Sequence, residues 1–237
     1  MTWSIIARDA ESGAFGVAVT TKFFAVGALC PHAQSGVGAL ATQALVNPSF
    51  GPRGLRLLAG GKPAAAVADT LLAADAGRNA RQLHIIDAKG GIAAHTGADC
   101  VSWCGHRVEE GFSVAGNMLV GAAVIDDTAA AYYEGAGRPF ADRLLTALDA
   151  GQRAGGDKRG KQSAALIIYT GEEYPYLNIR VDDHPEPLVE LRRLYEEAQR
   201  YYLPFLRFLP TRAAPAGIYD RRIIEAEIKR LQEAQQE

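Results

Sequence analysis

Strand-like and helical segments do not alternate one by one along this chain. They come in blocks, and the block order is what most narrows the fold. Trp3 to Asp9 is a short apolar run, Glu11-Ser12-Gly13 is turn chemistry, and Phe15 to Thr21 is a second run rich in Val and Thr, so a β-hairpin opens the chain. Val26 to Ala33 and Val37 to Ala44 add two strand-like pieces. Beyond the breaker cluster Asn47-Pro48-Ser49-Phe50-Gly51-Pro52 lie two helices, Arg53 to Ala59 and Pro63 to Ala74. Pro63 sits in a first turn, where its missing N–H would have had no partner, and Val67, Leu71 and Leu72 form an apolar stripe.

The second half repeats the scheme. Gln82 to Asp87 and Gly91 to Thr96 flank Ala88-Lys89-Gly90 as a hairpin, and Val108 to Val114 supplies further strand. Two helices, Leu119 to Glu134 and Pro139 to Gln152, are separated by Gly135-Ala136-Gly137-Arg138. Strands from Ser163 to Tyr169 and Tyr176 to Val181 follow, then a long helix from Pro187 to Leu209 that Pro204 should end or kink. After the patch Thr211 to Gly217, Ile223, Ile224, Ile228 and Leu231 recur at helical spacing in a helix from Ile218 to Gln235. Blocks of strands between helix pairs argue against a doubly wound sheet. They predict an α+β protein: a four-layer αββα sandwich of two antiparallel sheets over residues 1–210, with a linker and C-terminal amphipathic helix at 211–237.

Composition removes whole classes of function. With 25 Lys and Arg against 27 Asp and Glu, the net charge of −2 leaves no electrostatic footprint for nucleic acid. No run approaches the ~18 to 20 apolar residues of a membrane span, and the first residues lack a basic, then apolar, signal sequence. Three cysteines, an odd number, in a chain able to bury a core without bridges point to the reducing cytoplasm.

SIIARD (4–9), Thr21-Lys22-Phe23-Phe24-Ala25-Val26-Gly27, ATQALVNPSFGPRGL (41–55), RQLHIID (81–87), GFSVAGNML (111–119), AGGDKRGKQSAAL (154–166) and the stretch from Asn178 to Leu194 occur in this order over about residues 2–200. On these segments the chain resembles the bacterial family called domain of unknown function 1028. That family is similar to the Ntn-hydrolases, whose members include proteasome β-subunits. In such enzymes a Thr, Ser or Cys exposed by processing is the nucleophile, and its own α-amine, with a pKa of ~7.7 to 8.0, is the base.

The resemblance implies roles for particular residues, each with a plainer reading beside it. Removal of Met1 would make Thr2 the nucleophile; otherwise Thr2 is a β-favouring residue at a strand start. Lys22, after the second strand, would tune the amine or an anion, or is a surface lysine. Proteasome-like enzymes take that lysine from the third strand, which carries none here. Asp157 and Ser163 would support the terminal amine, with Gln162 between them as a substrate-binding candidate, or the loop is a solvated turn; no Gly-Lys-Ser/Thr opens a helix as a phosphate loop would, and a strand follows instead. Gln43, Asn47 and Asn117 are candidate oxyanion donors, or caps and turn formers.

Cys100-Val101-Ser102-Trp103-Cys104-Gly105-His106 has three potential ligands at a spacing unlike the usual zinc sites, so no metal is expected. His106 fits better as a pocket residue bonded to substrate or catalytic loop, with a Cys–His pair as a further option. Asp182-Asp183-His184 reads as an acidic helix start rather than a cation site. Tyr201, Tyr202, Phe205 and Phe208 exceed what one helix needs and suggest homo-oligomer contacts through the C-terminal helices. The expected activity is hydrolysis of an amide-type C–N bond in a small or peptidic substrate, without a cofactor. The alternatives are a non-catalytic binding module on the same fold, or an enzyme of this fold using pocket residues such as Lys22 and His106.

Overall fold

The structure, a computed structural model, describes residues 2–234 except the side chains of Gln232 and Ala234, so the processing of Met1 lies outside it. The first sheet has the order β10-β9-β2-β1-β8-β7 and the second β3-β4-β5-β6, all pairs antiparallel. Their strands are β1 Thr2–Arg8, β2 Phe15–Thr21, β3 Pro31–Gln34, β4 Gly38–Ala44, β5 Arg81–Asp87, β6 Ile92–Thr96, β7 Gly105–Glu109, β8 Phe112–Asn117, β9 Ser163–Tyr169 and β10 Leu177–Val181. Helices α1 (Phe50–Ala59) and α2 (Ala64–Ala73) cover the four-stranded sheet; α3 (Ala123–Glu134) and α4 (Phe140–Arg153) cover the six-stranded one. The layers are therefore α, β, β, α, as the block order predicts.

Several boundaries moved, each for a local reason. The strand expected over Val26–Ala33 begins instead as a 3₁₀ turn at Val26–Ala28, because Gly27 backs onto β9: a Cβ there would lie 2.7 Å from that of Ala165. The run from Val108 is a hairpin of two strands, turning at Glu110 and Gly111, the latter at φ 79°. The third helix starts at Ala123 rather than Leu119, since Met118 is left-handed (φ 54°) and Leu119 pairs with Asp157 in an antiparallel β-bridge. Helix α5 (Pro187–Arg200) stops four residues before Pro204, whose ring excludes a helical carbonyl at Arg200.

The chain divides into two units at Leu191 and Arg192, inside α5 and earlier than the 210/211 boundary expected from sequence. The second unit contains α6 (Tyr202–Phe205), a 3₁₀ turn at Leu206–Phe208 and α7 (Arg221–Ala234). Tyr201 stacks on Phe205 there, at 6.0 Å between ring centres.

In the first unit, β1 is a central strand with covered faces on both sides. Trp3 turns toward α4, where a Cβ on Gly151 would come within 2.8 Å of its indole nitrogen. Ser4 and Ile6 turn toward the other sheet. The layer between the sheets has two unlike halves. One is apolar: Ile6, Phe15, Val17, Val19, Ala39, Ala41, Ile86 and Ile167 pack together. The other is polar, and it adjoins Thr2.

Candidate functional site

The polar half is built by period-two side chains on four facing strands. Gln43 of β4 and Gln82 of β5 are register partners, as are Thr2 of β1 and Asn117 of β8. Gln43 Nε2 donates to Gln82 Oε1 (2.8 Å) and to Ala115 O (3.0 Å), while its Oε1 accepts the Ser4 hydroxyl (2.7 Å). Gln82 Nε2 donates toward Thr96 Oγ1, Gly116 O and Gly105 O at 2.8, 2.9 and 3.0 Å. Asn117 Nδ2 donates to Gln82 Oε1 (3.0 Å) and to Thr2 O (3.4 Å). The network reaches the surface where Thr96 Oγ1 meets His106 Nδ1 at 2.9 Å.

His84 sits fully buried between Ser4 Oγ (2.9 Å from Nε2) and Ser113 Oγ (3.1 Å from Nδ1). With the Ser4 proton directed at Gln43, the ring donates from Nε2 to Ser4 and accepts at Nδ1 from Ser113. Burial first, and the charge of His106 second, push the His84 pKa down to about 3, so it is neutral at pH 7. Every group here has a partner, as a buried polar layer requires.

Beside this layer a pocket of about 410 Å³, including its open mouth, is lined by Thr2, Phe23, Val26, Leu29, Cys30, Thr42, Gln43, Ala44 and Val46. Thr2 is 7% exposed, and its hydroxyl bonds that of Thr21 at 3.1 Å. Burial pushes the Cys30 thiol up, leaving it protonated. Three alanine or methionine residues with left-handed backbone flank the site: Ala25 (φ 53°), Ala44 (φ 66°) and Met118 (φ 54°). They are the only non-glycine ones among the described residues, and such strain tends to collect at functional sites.

Thr2 and Gln43 line the pocket, but Gln43 has both amide hydrogens engaged inside the sandwich. Asn117 lies behind Thr2 with its hydrogens likewise engaged. Asp157 and Ser163 act on the pocket wall. Asp157 Oδ2 accepts the Lys22 N–H (2.8 Å); Ser163 Oγ accepts the Val26 N–H (3.1 Å) and donates to Phe23 O (2.6 Å). Together they hold the segment 22–26 from both ends.

The other candidates point elsewhere. The Lys22 ammonium is exposed and donates to Lys161 O at 3.2 Å, so it is the lysine's main chain, not its charge, that meets Asp157. Gln162 donates its side-chain N–H to Asp183 Oδ1. Asn47 is a turn former: Oδ1 accepts from Ser49, and Nδ2 bonds Asp75, whose carboxyl is held at about 2 by Arg81 and then Asn47. His106 is exposed on β7, its pKa lowered by partial burial and then by His95. Cys100 and Cys104 point their thiols at main-chain carbonyls, and among the described residues no group of three His, Cys, Asp or Glu could hold a metal ion.

The residues that sequence reasoning missed are Ser4, Gln82, His84 and Ser113. Their sequence signal is alternation alone: Ser4, His84 and Ser113 each stand between two apolar residues, which marks a strand but not which of its faces is turned inward.

A family model described as a family of unknown function, DUF1028, matches residues 2–191. The chain belongs to this family. The matched region ends where the first unit ends. A family member from Silicibacter pomeroyi, solved by crystallography, is similar at 30% identity and a TM-score of 0.85, covering 92% of this chain and 99% of its own. Lower likenesses are to an Anbu mutant from Hyphomicrobium sp. (15% identity, 84% and 95% covered, TM-score 0.42) and to Anbu, an ancestral beta-subunit, from Yersinia bercovieri (14%, 83% and 94%, 0.39). No curated protein matches the chain in sequence. The αββα sandwich of this DUF1028 protein is built from two antiparallel sheets, each covered by a pair of helices. No helix among the described residues is long and apolar enough to cross a membrane.

Proposed function

We propose that this DUF1028 protein is an amide hydrolase of the N-terminal-nucleophile type, acting on a small or peptidic substrate with Thr2 as nucleophile. The observation that carries the reading is the Thr2 side chain itself, in the pocket wall at the first residue of a central strand. In a chain beginning at Thr2, the α-amine accepts the Oγ1 proton as that oxygen attacks the amide carbonyl carbon. The tetrahedral anion collapses, the C–N bond breaks, and the amine leaves with the proton. Water then hydrolyses the Thr2 ester and restores the hydroxyl. Asp157 and Ser163 are positioning residues in this scheme, because they fix the wall that carries Phe23 and Val26. Gln43 and Asn117 have both amide hydrogens engaged inside the sandwich, so either would have to give up a bond to serve the oxyanion. No cofactor enters.

The test is intact mass and N-terminal sequencing of untagged protein, followed by an amide panel. A chain starting at Thr2 that turns over, that loses roughly 10³-fold or more with Thr2→Ala and that retains activity with Thr2→Ser supports the reading. Undiminished turnover by a chain retaining Met1 sinks it.

The engaged amide hydrogens of Gln43 and Asn117, the side-chain amides nearest Thr2, favour a second reading, a ligand-binding module without catalysis. Its signature is equal ligand affinity in wild type and Thr2→Ala with turnover in neither. We also propose a cytoplasmic protein, which its three free cysteines support, and self-association through the second unit. Exposed Tyr201, Tyr219 and Ile223 support the latter, which light scattering would read out.

A further inference from the structure

We infer that the pocket beside Thr2 accepts an uncharged aliphatic group, which on the hydrolase reading above is the acyl side chain of the substrate amide. Phe23, Val26, Leu29, Cys30, Ala44 and Val46 present carbon and sulfur, and none of the nine lining residues is charged. The polar atoms among them are already engaged by the protein. Thr42 Oγ1 donates to Asn47 O at 3.2 Å, the Gln43 amide is bonded on both sides, and Cys30 Sγ lies 3.7 Å from Gln43 Oε1.

A charged ligand group would therefore leave water and meet no charged side chain in the pocket, whereas each methylene group would exchange water for carbon. The nearest cations and anions bind one another or the main chain outside it: Lys22 with Lys161 O, and Arg159 with Asp157 at 3.3 Å. The mouth continues the same chemistry. Phe24 and Leu45, next in sequence to lining residues, are both more than half exposed.

The probes are propionamide, butyramide, isovaleramide and the charged succinamate, titrated by NMR against the full chain. Affinity should climb about fourfold per added methylene group along the neutral series. Succinamate should bind no better than propionamide. Phe23→Asp, at a position 53% exposed and so compatible with folding, should flatten the series while circular dichroism and Tm stay unchanged. A flat series in the wild type, or succinamate binding as tightly as isovaleramide, overturns the inference. Ammonia release from the same amides is followed in parallel, on protein shown by mass to start at Thr2. A binding gradient without ammonia overturns the hydrolase reading and keeps the pocket's preference. Ammonia released from all four amides at equal rates does the reverse.

Discussion

Gln43 and Gln82 face each other in register on β4 and β5, and Gln43 Nε2 donates to Gln82 Oε1 at 2.8 Å. Around that bond the side-chain amides of Gln43, Gln82 and Asn117 donate to one another, to Thr96 Oγ1 and to the main-chain carbonyls of Thr2, Ala115 and Gly116. Replacing Gln82 by Leu would leave Asn117, Gln43 and the Gly116 carbonyl short of partners in a dry layer. The expected loss is about 2–4 kcal/mol of unfolding free energy in urea titrations. The double variant Gln43→Leu/Gln82→Leu should lose clearly less than the two single losses added. Strict additivity would show that the two amides do not act as one unit.

His84 predicts an acid limb. Its folded pKa of about 3 lies below the ordinary 6.5, so the folded protein binds fewer protons than the unfolded chain between those values. Stability is therefore complete above pH 6.5 and falls as the pH drops toward 3, by up to about 1.4 kcal/mol per unit. His32, lowered mainly by burial, acts in the same direction. Asp75, with its carboxyl at about 2, contributes only further down, between its ordinary 3.8 and that value. Urea titrations from pH 7 to 4.5 should show the slope, and His84→Gln should reduce it. An unchanged slope in the variant would assign the limb to other groups.

The Asp157 carboxylate ties down the Lys22 and Arg159 amides. In Asp157→Ala those amides lose their acceptor, and hydrogen exchange at Lys22 should rise by at least tenfold. Ser163→Ala should do the same at Val26, whose N–H it accepts. Protection that survives both changes would mean the wall is held by other contacts.

Ala44 and Ala25 hold backbone angles that glycine adopts at little cost. Ala44→Gly and Ala25→Gly should each raise stability by about 0.5–1 kcal/mol, read from thermal or urea unfolding. A loss of stability in either would show that the methyl group contributes more by packing than the backbone angle costs.

The fold was legible because strand and helix blocks survive in the sequence as runs, and because turn chemistry such as Glu11-Ser12-Gly13 marks their ends. The site was only partly legible. Thr2 is found by its place at a strand start, and Gln43 by its strand. What Asp157 and Ser163 do depends on where the 22–26 segment passes them, which no local pattern encodes. Lys22 misled for the same reason: its position after β2 is right, but its side chain leaves toward Lys161. Ser4, Gln82, His84 and Ser113 were hidden by the period-two rule itself. Alternating polar residues ordinarily mark a wet face, and here that face is turned inward between two sheets.

The unlike halves of the inter-sheet layer set different terms for change over evolutionary or laboratory time. Ile6, Val17, Ile86 and Ile167 can trade volume among themselves one substitution at a time, since neighbouring hydrocarbons adjust. Ser4, Gln43, Gln82, His84, Ser113 and Asn117 form a lock in which each tooth fits only the others, so a new pattern has to arrive as a set. Diversity introduced to retune the pocket is thus best aimed at Phe23, Leu29 and Val46 on its outer side, where a substitution disturbs no member of that lock.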